Sequence, residues 1–153
     1  MDTLSALVAC RGQWRGNNTL QDPETGQPAV SAATATVTPL LDGRFVRLDY
    51  TWHYGDTPQA GSLLIGHDTA AGTLSAYWID SWHMGDKAML CQGAATGQEE
   101  LVVRGAYAAP PGPDWGWRIA IIPGAGTALR LVMHNIWPDG KEELAVEARY
   151  ERV

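Results

Sequence analysis

The sequence predicts an all-β fold, a single antiparallel up-and-down β-barrel of about eight to ten strands with a short N-terminal helix. Three observations carry that prediction. Short alternating runs rich in Val, Thr, Ile and Trp recur along the chain, parted by Gly, Pro and Asp turns. The 153 residues amount to one domain, read as one barrel over 1–153. The pentad Gly12-Gln13-Trp14-Arg15-Gly16 sets an indole between two glycines just after an apolar N-terminal segment. That arrangement suits a first strand at a barrel end, where the glycines admit close backbone and the indole plugs the core. A two-sheet sandwich would show the same alternation, but the short turns and sequential strand order favour the barrel.

Residues 2–10 read as the helix, because Asp2 or Thr3 can cap it and Leu4, Leu7 and Val8 share one face. Strand one runs through Trp14 to Leu20, and the proline-bearing segment 21–28 is a loop. Ala29 to Leu40, small and β-branched, forms a long strand. Asp42-Gly43 then marks a hairpin into a strand that places Val46, Leu48, Tyr50, Trp52 and Tyr54 on the inner face. A loop over Gly55–Pro58 precedes a strand at Gly61–His67, and the turn 68–72 leads to a strand over Thr73–Met84. That strand puts Leu74, Ala76, Trp78, Asp80, Trp82 and Met84 on one face. Shorter strands at Lys87–Gln92 and Glu100–Tyr107 follow, then a Pro/Gly break at 109–113. Trp115–Ile122, Thr127–Trp137 and Glu142–Arg152 complete an antiparallel meander.

Seven Trp against one Phe is an unusual balance. Indoles supply large apolar area with one N–H donor each, as the wall of a small-molecule pocket requires, though they could equally fill a closed core. The net charge of −6, with no basic stripe, argues against nucleic acid and against anionic membrane surfaces. No apolar run approaches the ~20 residues that cross a bilayer, and the start lacks the charged and apolar regions of a secretory signal. A cytoplasmic location is therefore expected. Cys10 and Cys91 have no zinc or redox spacing and read as buried thiols. A homodimer is compatible with the sequence.

The pentad, the run Leu41-Asp42-Gly43-Arg44-Phe45-Val46, the stretch Tyr77-Trp78-Ile79-Asp80-Ser81-Trp82-His83, the triplet Trp117-Arg118-Ile119 and Pro138-Asp139-Gly140-Lys141 occur in that order. In these motifs the chain resembles the bacterial domain-of-unknown-function family 1579. The resemblance implies a lipocalin-like barrel of the calycin superfamily, and it implies no activity. Nitrobindin-like haem barrels open on a similar Gly-x-Trp-x-Gly, but the further glycines and Tyr-Pro that they carry are absent after Gly16. Fatty-acid-binding proteins hold a carboxylate with Arg-x-Tyr, whereas Arg149 and Tyr150 are adjacent here and face opposite ways.

Asp80 and Arg118 each interrupt an apolar stretch in mid-strand, so both are expected inside as an ion pair, with Arg118 able to meet an anionic headgroup. The same pair could instead be architectural, or Arg118 could face solvent. The expected ligand is a small hydrophobic or amphipathic molecule, walled by Tyr50, Trp52, Trp78, Trp82 and Trp117 and anchored by Asp80, Arg118 and His134. No cofactor is expected, and haem on His134 is the alternative. No metal-site spacing, nucleophile elbow or phosphate loop is present, which leaves catalysis without assigned residues. The remaining alternatives are an enzyme acting on a bound molecule through Asp80 or His134, and a filled barrel serving as an interaction module.

Overall fold

The computed structural model describes residues 2–153. One helix, α1 (Thr3–Val8), precedes ten strands: β1 (Gly12–Gln21), β2 (Pro28–Leu40), β3 (Phe45–Tyr54), β4 (Thr57–Asp68), β5 (Thr73–Asp80), β6 (Met89–Ala94), β7 (Leu101–Tyr107), β8 (Trp115–Gly124), β9 (Ala128–Ile136) and β10 (Glu142–Arg152). Each strand pairs antiparallel with its chain neighbours, and β1 pairs with β10 to close the barrel. Period-two alternation drives the closure, since every strand has one apolar face to bury and no edge remains unpaired. In β3 the buried set is Val46, Leu48, Tyr50 and Trp52, while Arg47 and Asp49 form an exposed ion pair 2.8 Å long.

The two ends of the barrel differ. At one end lie α1, the first residues of β1 and the last of β10. Asp2 caps α1 by accepting from Ser5 N at 2.8 Å. Leu4, Leu7 and Cys10 enter the core beside Trp14, whose Nε1 donates to Cys10 O at 2.8 Å. Arg152 crosses above Trp14, its guanidinium 4.4 Å from the ring centroid, and donates to Arg11 O, Ala9 O and Gly126 O. Both ends of the chain thus seal this end of the barrel. The opposite end carries the connections 22–27, 55–56, 81–88, 108–114 and 137–141, and no helix of the described residues covers it.

Two connections differ from expectation. The loop expected at Gly55–Pro58 is a turn of only Gly55 and Asp56, because Gly55 takes φ 59 and lets β3 and β4 pair up to Tyr54 and Thr57. The strand expected to reach Met84 stops at Asp80. Its carboxylate accepts from Trp82 N and His83 N, both at 2.8 Å, and this side-chain turn competes with the ladder and bends the chain away. A bulge between Leu144 and Val146 shifts the β9–β10 register near the same end.

A candidate ligand cavity at the open end

Asp80 is the centre on which the open end is built. It is 2 % exposed, and its carboxylate accepts from Tyr50 Oη at 2.7 Å, Trp52 Nε1 at 3.4 Å and the two backbone N–H groups. Tyr50 Oη in turn accepts from Trp78 Nε1 at 2.9 Å. Burial, then the Asp80 carboxylate, pushes the Tyr50 phenol well above its ordinary value, so it remains a donor. A buried carboxylate is tolerable when donors surround it, and here every donor is neutral.

Above this network lies a ring cluster. His83 sits 5.7 Å from Trp52, 5.7 Å from Trp78, 4.7 Å from Trp82 and 5.4 Å from Trp117, measured between ring centroids. Trp78 and Trp117 stack on each other at 5.2 Å and 10°. On the mouth side of these rings is a cavity of about 850 Å³, lined among others by Trp78, Trp82, His83, Met89, Trp117, Tyr107, Asn135 and Glu143. Small-molecule sites usually span ~300–1,000 Å³, and the space at the mouth falls within that range. Tyr107 Oη donates to Asn135 Oδ1 at 2.6 Å, which fixes the amide at the wall. Trp117 Nε1 is shut off from solvent and finds no acceptor among the described residues.

At the rim, Tyr54 Oη lies 3.0 Å from Asp22 Oδ2 and 2.9 Å from Glu24 Oε2, and its ring packs 5.2 Å from Trp82. The Glu24 contact, burial and the Asp22 contact together raise the Tyr54 phenol to about 12. One hydroxyl proton serves two carboxylates there.

Burial among the rings lowers the His83 imidazole below its usual value, with Asp80 offsetting part of the effect. The folded protein therefore favours neutral His83, and the unfolded chain takes up a proton first. The stabilisation is complete above the unfolded value near 6.5 and is lost as pH falls through the lower folded value. We expect the urea midpoint to fall between pH 7.5 and pH 5, and to fall less in His83→Gln. Equal falls in the two proteins would show that His83 contributes nothing to the pH dependence.

Of the residues expected at the site, Trp78, Trp82 and Trp117 line the cavity. Tyr50, Trp52 and Asp80 lie beneath it as the network that holds the rings. Arg118 and His134 are corrected: both project from the outer face. Their strand neighbours Trp117, Ile119, Met133 and Asn135 face inward, and Arg118 opposes His134 in register. Arg118 lies 3.9 Å from Glu100 and 3.9 Å from Glu142, so the expected Asp80–Arg118 pair is not formed. Desolvation favours this arrangement, because neutral donors satisfy Asp80 inside while the guanidinium stays with half-exposed carboxylates outside. His134 Nδ1 is buried without a partner on that outer face and offers the lumen no haem ligand.

The sequence reading passed over His83 as a site residue, along with Tyr107, Asn135 and the carboxylates Asp22 and Glu143. For His83 the available signal was its place three residues after Asp80, where an Asx-type turn presents the next side chains as a group. Among the described residues no group of three or more His, Cys, Asp and Glu side chains is placed to hold a metal ion.

The sequence profile of the family described as Protein of unknown function (DUF1579) matches residues 3–152. The chain belongs to this family. No curated protein matches the sequence of this DUF1579 member. Among solved structures, the crystal structure of Rv2717c from M. tuberculosis superposes with a TM-score of 0.66 at 12 % identity, covering 99 % of this chain and 97 % of that one. At that identity the likeness concerns the barrel alone, and the DUF1579 cavity has to be read from its own residues.

Proposed function

We propose that this DUF1579 barrel is a binding module for one small amphipathic molecule, received at the open end with its apolar part against Trp78, Trp82, His83 and Trp117. The observation that carries the reading is the cavity of about 850 Å³ whose floor is aromatic and whose rim is polar. A soluble barrel gains nothing in stability from leaving such a space beside four large rings, since close packing there would bury more area. The Asp80 network holds the rings from below through directional hydrogen bonds, so the surface offered to a ligand is preorganised. Asp80 itself lies under the cavity lining and acts on its shape rather than on a bound molecule.

Titration with N-phenyl-1-naphthylamine, a neutral polarity-sensitive fluorophore, tests the proposal. One saturable site with a blue-shifted probe and energy transfer from tryptophan is expected. Ala88→Trp, on the exposed turn at the cavity mouth, should weaken binding about tenfold or more by occupying the entrance. Absent binding, or binding indifferent to Ala88→Trp, would end this reading.

A further inference from the structure

We infer that the ligand of this cavity is an organic cation, an amine or alkylated ammonium carried on an apolar body. The inference rests on the binding reading above and adds the charge of the molecule bound.

Charge is distributed unevenly between the two ends of the barrel. The connections at the open end hold Asp22, Glu24, Asp56, Asp86, Asp114 and Asp139 against Lys87 and Lys141, the only two lysines in the chain. The connections at the α1 end are nearly balanced, with Asp42, Glu99 and Glu100 against Arg11 and Arg44. The net four negative charges around the mouth make up most of the −6 of the whole protein. A one-signed collar over a low-dielectric cleft concentrates counter-ions of the opposite sign and raises their rate of entry.

The charge is also unneutralised where it meets the cavity. Asp22 and Glu24 share the single hydroxyl proton of Tyr54, at 3.0 and 2.9 Å, and neither is in an ion pair among the described residues. Glu143, on the lining, accepts among the described residues only from the neutral Trp137 Nε1, at 3.2 Å. Beneath the floor, Asp80 is held by neutral donors alone. Among the described residues Lys87 is the one lysine or arginine on the lining, opposed there by Asp22 and Glu143. The floor holds the indoles of Trp78, Trp82 and Trp117, and aromatic rings attract a cation through their quadrupole, more strongly when water is excluded. An anionic headgroup would meet the same rings and carboxylates at a cost, whereas a cation meets favourable terms from both.

Three probes with one naphthyl body separate the two levels of this reading: naphthylmethyl-trimethylammonium, naphthalenemethanol and naphthylacetate, each titrated calorimetrically into the intact protein. The ammonium probe should bind about tenfold more tightly than the alcohol, and the acetate more weakly than either. Glu143→Gln, at an exposed position outside the core, and Asp22→Asn should each reduce the ratio of ammonium to alcohol affinity several-fold. Lys87→Gln should increase the preference. Alcohol and ammonium binding equally would overturn the inference and leave the binding module standing. Preference for the acetate would overturn it in favour of Lys87 as an anion anchor. No binding of any probe would remove both readings.

Discussion

Asp80→Ala is expected to cost about 3–5 kcal/mol, because it strands the Tyr50 hydroxyl, the Trp52 indole N–H and two backbone N–H groups in a dry interior. All four currently meet one carboxylate. For a chain of this size the loss corresponds to roughly 10 °C in Tm. Local order should fail as well, since the carboxylate holds Trp82 N and His83 N where the chain turns after β5. Near-ultraviolet circular dichroism, dominated by the ring cluster, should lose most of its structure in this variant. Asp80→Asn separates shape from charge. Its amide oxygen can still accept from the backbone pair, but its NH2 then faces the Trp52 N–H, donor against donor, so about half the loss is expected. Urea unfolding followed by tryptophan fluorescence reads all three proteins. A stability of Asp80→Ala within 1 kcal/mol of the parent, on the scale of an ordinary surface change, would refute the view that this residue organises the open end.

The second large effect belongs to the seam. A Cβ added at Gly16 would lie 1.8 Å from Arg149 O and 3.0 Å from Tyr150 Cα. Both atoms are backbone of β10, the strand whose pairing with β1 closes the barrel. No side-chain rotation relieves that contact, so Gly16→Ala must part the two strands or fail to fold, at about 3 kcal/mol or more. The control is Gly26→Ala, where nothing stands within 4 Å and only the left-handed φ of +70° is at issue. There the expected cost is about 1–2 kcal/mol. If the two alanine variants unfold at the same urea concentration, close approach at the seam is not what requires Gly16.

Much of the architecture was legible residue by residue. Alternation in β3 separated Tyr50 and Trp52 from Arg47 and Asp49, and the structure buries the first pair and exposes the second. The pentad Gly12–Gly16 pointed to a closing strand, and its glycine does lie against β10. Alternation misled where a side chain overrode it. Trp82 was placed on a continuing β5, yet it reaches the cavity from the turn that the Asp80 carboxylate creates. Arg118 and His134 were assigned to the lumen because each interrupts an apolar stretch. Their neighbours' parity was the better guide, since Trp117 and Ile119 cannot both face inward unless Arg118 faces out.

The sequence alone determined the class of fold, the order of its strands and, in β3, which face would be buried, because those follow from a two-residue period and from turn chemistry. Only the tertiary structure decided that one end is plugged by α1, Trp14 and Arg152 while the other stays open. It also decided that Asp80 is met by neutral donors from β3 and from the turn after β5 rather than by Arg118. Both outcomes depend on where distant segments meet once the barrel has closed, and on the desolvation cost each charged group then bears. A linear pattern carries neither quantity.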